Sequence, residues 1–151
     1  MSETITTTDR PWLKHYDPGV PQSIQYETIC LPEKLESIAH AYPSKTALIF
    51  MGYKMSYREL VTMRDRFATC LADFGIQKGD RVAILSENRP EWAFTDYACL
   101  LNRCADVPIY PTLPSGQISY ILRDSGATAI FVSSRAQLDK ILALKKRQAR
   151  P

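Results

Sequence analysis

The chain has 151 residues, 45% of them hydrophobic and 23% charged, with 10 prolines and 6 glycines. That length suits one domain or a piece of a larger one, and the composition excludes collagen-like, low-complexity and intrinsically disordered classes. The net charge of +3 is uneven: residues 134–151 carry +5 and the remainder −2. Such a basic end can meet nucleic acid or anionic lipid. No aromatic residue follows Phe131 to stack on bases, so a solvated helix face is the better reading and nucleic acid is not an expected partner.

The longest uninterrupted apolar run is Ala47–Met51, far short of the roughly 20 residues that span a bilayer. Met1–Arg10 is polar and Thr-rich, unlike a secretory signal. The expectation is a soluble, cytoplasmic chain, with membrane contact peripheral at most. Cys30, Cys70, Cys99 and Cys104 form no C-x-x-C pair. On a helix, Cys99 and Cys104 would point about 140° apart, which rules out a shared metal. All four read as small buried hydrophobes in a reducing compartment, and no metal site is expected.

Residues 1–25 contain Pro11, Pro18, Gly19 and Pro21 among polar residues and read as an irregular arm. Trp12, Leu13, Tyr16, Val20 and Ile24 suggest that the arm docks onto the body. Pro32 opens a helix to about Ala41. Lys45–Met51 is a strand, Gly52 a turn, and Tyr53–Met55 a short hairpin partner. Ser56 with Glu59 three residues on makes a capping box. The following helix carries Tyr57, Leu60, Val61, Phe67, Ala68, Leu71 and Phe74 as its core stripe and ends at a left-handed Gly75.

Lys78-Gly79-Asp80 is a turn, and Val82–Leu85 is a wholly apolar strand, the mark of a parallel sheet covered on both faces. Asn88–Glu91, with Pro90 in the first turn, caps a helix to about Cys104. Val107–Tyr110 is a strand, Gln117–Arg123 a helix closed by Ser125-Gly126, Thr128–Val132 a strand and Ala136–Lys146 a helix. From residue 45 the order is β-β-α-β-α-β-α-β-α, an α/β fold with a parallel sheet. The chain stops after a helix with no closing strand, so the sheet reads as incomplete and the chain as a fragment.

No phosphate-binding G-x-x-x-x-G-K-[ST] or G-x-G-x-x-G occurs. Leu113–Gly116 and Asp124–Gly126 hold one glycine each and read as a helix start and a helix end. His15 and His40 stand beside no nucleophile elbow, and the acidic residues show no paired-carboxylate or metal-ligand spacing. Pro108, Pro111 and Pro114 make P-x-x-P spacings, but Val107, Ile109, Tyr110 and Leu113 favour a strand end over a polyproline ligand. On its own physics the sequence offers no catalytic, cofactor-binding or metal-binding residue.

Taken together, several segments resemble the N-terminal part of the adenylate-forming (AMP-binding) acyl-CoA synthetases, most closely the bacterial long-chain fatty-acid–CoA ligases. Pro11–Pro21 is similar to their arm, and Met55-Ser56-Tyr57-Arg58-Glu59-Leu60 to their "(L/M)-(T/S)-Y-x-E-L" helix start. Gly75-Ile76-Gln77-Lys78-Gly79-Asp80-Arg81-Val82-Ala83 resembles "G-(I/V)-x-K-G-D-R-V-A", and Asn88–Trp92 the helix entry after it. Val107–Thr112 and Tyr120–Ala127 complete the series, which runs from about residue 11 to 147. Cys104 departs from it, standing where the family usually has the glycine of "(R/K)-x-G-A".

The resemblance implies an irregular arm at 1–25 and a truncated AMP-binding domain at 26–151. It also implies two-step chemistry: a fatty acid is adenylated by Mg-ATP with loss of pyrophosphate, then coenzyme A displaces AMP. The protein's part would be positioning and charge stabilisation. The family's phosphate loop, adenine and ribose contacts and catalytic lysine would lie beyond residue 151. The fragment is therefore expected to be inactive and to bind no ATP, Mg or coenzyme A itself. The alternatives are a non-catalytic module that pairs with a longer synthetase or forms a homo-oligomer, and another carboxylate-adenylating ligase.

Overall fold

The computed structural model describes residues 10–148. A 3-10 turn at Pro11–His15 and an extended stretch lead into α1 (Leu31–Ala41), the hairpin of β1 (Thr46–Phe50) and β2 (Tyr53–Ser56), and α2 (Tyr57–Asp73). Then follow β3 (Arg81–Leu85), α3 (Pro90–Leu101), β4 (Ala105–Ile109), α4 (Ser115–Ser125), β5 (Ala129–Val132) and α5 (Arg135–Gln148). The α/β class and element order match the sequence expectation. No helix among the described residues is long and apolar enough to cross a membrane.

The sheet is parallel in the order β4-β3-β5. Its centre is β3, where Val82, Ala83, Ile84 and Leu85 are each no more than 1% exposed. Val82 packs with Ala68 and Leu71 of α2 and Ala98 and Cys99 of α3. Ala83 and Leu85 pack on the other face with Ile118 of α4 and, less deeply buried, Ile141 and Leu144 of α5. Helices on both faces explain why this strand has no polar alternation. A third cluster, Leu35, Met55, Leu60 and Phe94, fastens α1 and the hairpin to α2 and α3. Edge strand β4 contains Pro108, opposite Ile84 in register; a proline lacks the ladder donor and belongs on an edge.

The α2 capping box is formed: Glu59 N–H donates to Ser56 Oγ at 3.3 Å, and Ser56 N–H to the Glu59 carboxylate at 2.7 Å. Several local expectations need correction. α3 is capped by extended Arg89, with no side-chain bond and not by Asn88, and it ends at Leu101. A left-handed Arg103 (φ 60°) then turns the chain, so β4 starts two residues early. Phe74 is 81% exposed, because α2 stops before it, and the stripe instead buries Arg64. Among the described residues of the arm, Trp12, Tyr16, Val20 and Ile24 face solvent and Leu13 is half-buried. Cys30 and Cys70 are also exposed, and only Cys99 and Cys104 are buried. Cys104 is accommodated at the α3–β4 turn, with its thiol donating to the Gln77 carbonyl at 3.4 Å.

Two arginines join the layers. Arg64, 3% exposed, reaches Glu36 of α1 at 2.5 Å and its neighbour Asp65 at 2.7 Å. Arg81 donates to the Ser125 and Gly126 carbonyls at 2.9 and 3.0 Å, placing a cation at the C-terminal end of α4. Gly126 is left-handed (φ 62°), and a Cβ there would lie 2.8 Å from Arg81 Nη2. Gly126→Ala is expected to destabilise the chain by about 1–2 kcal/mol in urea melts. In an Arg81→Ala background that cost should fall towards the backbone part alone. Arg64→Ala is expected to cost about 2 kcal/mol and Arg64→Met distinctly less, since much of the guanidinium's contribution is packing of its stem.

Candidate functional site

In open parallel sheets, ligands bind beyond the carboxyl ends of strands where the strand order reverses. Here β3 is followed by a helix on one face and β5 by a helix on the other, so the reversal lies between them. The crevice is bounded by the loop Ser86–Arg89 and by Ser133, and has a volume of about 210 Å³ with Ile84, Trp92 and Phe131 among its walls.

Its polar groups are bound to one another. The Glu87 carboxylate accepts from the Ser133 hydroxyl and, at 3.0 Å, from the Gln137 amide. The hydroxyl bond is the leading cause that holds the Glu87 carboxyl below its ordinary range. Gln137, on the first turn of α5 and 5% exposed, accepts the Ser133 N–H at 2.9 Å. Arg89 donates to the Ser133 carbonyl at 3.4 Å and grips Glu91 through Nε and Nη2 at 3.0 and 3.2 Å. Glu91 is lowered by that contact first. Among the described residues no buried side-chain nitrogen or oxygen lacks a partner.

The network fixes the two loops relative to each other. Chemically it is a set of satisfied donors and acceptors in which no histidine or thiol is paired with a base. His15 stands in the 3-10 turn, and His40 is exposed on α1. Leu113–Gly116 and Asp124–Gly126 fall at the start and end of α4. A second cavity of about 430 Å³ lies across the β3 loop, between Trp92 and the Pro108–Pro111 segment. There Tyr110 is 78% exposed while Ile109 is buried, so the proline spacings do belong to a strand end. Among the described residues no group of three or more His, Cys, Asp or Glu could hold a metal ion.

The AMP-binding enzyme family model matches residues 35–151. The chain belongs to that family. Among curated relatives, the long-chain-fatty-acid–CoA ligase of Bacillus subtilis is 30% identical over 124 residues, 82% of this chain and 22% of that protein. The Yersinia pestis long-chain-fatty-acid–CoA ligase is 33% identical over 128 residues, 83% of this chain and 23% of that one. The chain thus spans about a fifth of the length of these relatives.

The solved structures agree. The Klebsiella oxytoca NpsA N-terminal subdomain, in complex with 3-hydroxybenzoyl-AMSN, superposes with a TM-score of 0.66 at 30% identity. That match covers 69% of this chain and 26% of the other. The o-succinylbenzoate–CoA synthetase MenE of Bacillus subtilis, in complex with ATP and magnesium, gives a TM-score of 0.64 at 31% identity, over 66% of this chain and 27% of its own. The fold is therefore that of the N-terminal part of adenylate-forming enzymes.

The sequence reading missed the Glu87–Ser133–Gln137 network, whose members lie up to 50 residues apart. It also missed a carboxyl pair at the α3–β4 contact. Asp96, half-buried on α3 and hydrogen-bonded to Asp106, is pushed up to about 6, first by burial and then by its neighbour's charge. Burial, with Cys104 and both aspartates adding to it, drives the nearby Cys99 thiol up to about 12.

A carboxyl whose pKa rises on folding adds stability below its unfolded value of about 4, and that stability is lost as pH climbs through about 6. Glu87 and Glu91, lowered on folding, act in the opposite sense on the acid side. Comparing variants isolates the first effect. Asp96→Asn is expected to melt above the unsubstituted protein at pH 7–8, with the advantage shrinking as the pH is lowered from about 6 towards 4. Thermal melts of both across that range check it.

Proposed function

We propose that this chain is the N-terminal part of a long-chain fatty-acid–CoA ligase. The observation that carries the reading is the name borne by the relatives that are 30% and 33% identical over more than four fifths of it. The arm Pro11–Pro21 and the Val107–Thr112 segment support the fatty-acid class over aryl and aminoacyl classes.

In that reaction the fatty-acid carboxylate attacks the α-phosphorus of ATP and pyrophosphate leaves. The coenzyme A thiolate then attacks the acyl carbon and AMP leaves. The contribution of residues 10–148 is architectural: a dry parallel sheet, and two strand-end loops locked by Glu87, Ser133, Gln137 and Arg89. Groups that touch the phosphates belong to the part of the ligase this chain does not include, and residues 1–151 alone do not adenylate.

The test is to capture the polypeptide that carries this sequence from its source cells with an antibody against the chain. Its mass and its acid-dependent pyrophosphate release are then measured. A mass well above 17.1 kDa with release driven by palmitate is expected, and no release by the purified 151-residue chain. A native mass near 17.1 kDa, or a preference for benzoate or amino acids, would overturn the reading. So would palmitate-dependent release by the short chain.

A further inference from the structure

The strands are parallel and the helices between them run back, so α2, α3, α4 and α5 all end where β3, β4 and β5 begin. Backbone bonds join the turns there into one surface at the end of the sheet opposite the crevice. Gly79 N–H donates to the Arg103 carbonyl at 3.0 Å, and Thr128 N–H to the Arg81 carbonyl at 2.9 Å. Lys145 of α5 lines the same cavity as Arg123 and Thr128.

Most of the charge on this face is uncommitted and positive. Arg81 is bound to the α4 carbonyls, and Asp80 accepts the Gln77 N–H at 2.8 Å. Asp106, the second residue of β4, is hydrogen-bonded to Asp96. Lys78, Arg103, Arg123, Lys145 and Lys146 are exposed and make no ion pair among the described residues, and the exposed carboxylates beside them are Asp73 and Asp124. Cations at helix C-termini complement the helix dipoles, but that does not account for the bare ring among them. Phe74 is 81% exposed, the one exposed phenylalanine of the chain's five, and Leu101 at the end of α3 is 41% exposed. An apolar tip ringed by flexible cations complements a layer with phosphate outside and hydrocarbon beneath. A folded acidic partner would instead ask for a pocket around the ring.

We propose that this strand-start face docks on an anionic lipid surface, with Phe74 entering the headgroup layer and the surrounding lysines and arginines on the lipid phosphates. Docked in this way, the chain turns its strand-end crevice towards water.

The test sediments the 151-residue chain with vesicles of mixed phosphatidylserine and phosphatidylcholine, and with phosphatidylcholine alone. Binding to the mixed vesicles at least about tenfold tighter than to phosphatidylcholine is expected. Lys78→Gln/Arg123→Gln/Lys145→Gln should weaken it at least about tenfold at an unchanged melting temperature. Lys54→Gln/Arg58→Gln/Arg66→Gln, an equal loss of exposed charge on the hairpin and outer α2, should leave most of it. In Phe74→Trp, brominated lipid should quench the new indole beyond the quenching seen in the unsubstituted chain. If the first triple variant melts early, the lipid comparison and the quenching decide. Equal binding to both vesicles, equal loss in the two triple variants, or an unquenched indole at position 74 would each overturn the proposal. Binding of soluble polyglutamate without binding of vesicles would overturn it in favour of an acidic protein surface.

Discussion

The structure depends on one dry strand. Every side chain from Val82 to Leu85 is enclosed, so β3 can exist only while helices cover both of its faces. That requirement fixes where everything else goes. The α2–α3 layer must lie on the Val82 side and the α4–α5 layer on the Ala83 and Leu85 side. The two layers then force the chain to leave β3 and β5 in opposite directions, which creates the strand-end crevice. Site and core are thus products of the same burial, worth roughly 1.5–3 kcal/mol for each large aliphatic side chain.

Much of this was legible in the sequence, because its signals are local. The run Val82–Leu85 announces a doubly covered strand, and Ser56 with Glu59 announces a helix start whose reciprocal bonds are present. Gly126 stands at a left-handed helix end as its neighbours imply. What the sequence concealed is long-range. Arg64 reads as a surface residue until Glu36, 28 residues earlier, supplies its partner. The α3 boundary was misplaced for a related reason: Arg103 takes a left-handed turn that ordinary propensity assigns to glycine or asparagine.

The candidate site was less legible than the fold. Its location follows from topology, but its members come from two distant stretches, 87–91 and 133–137, that no spacing rule connects. Glu87, Ser133 and Gln137 are ordinary polar residues in sequence and become a unit only once β3 and β5 are neighbours. Their mutual satisfaction gives the crevice a rigid rim without giving it a reactive group. The curated relatives are about five times the length of the stretch matched here.

The proline in β4 gives the sheet a direction of growth. Pro108 removes a backbone donor from one edge, whereas β5 keeps an N–H at every residue from Ala129 to Val132. A further strand laid beside β5 would meet an unbroken row of partners, and one laid beside β4 would find a gap. The two sides of a three-stranded core are therefore not equivalent: one is blunted by its covalent chemistry and the other is an open template. Any polypeptide that extends this sheet, from the same chain or another, is steered to the β5 side.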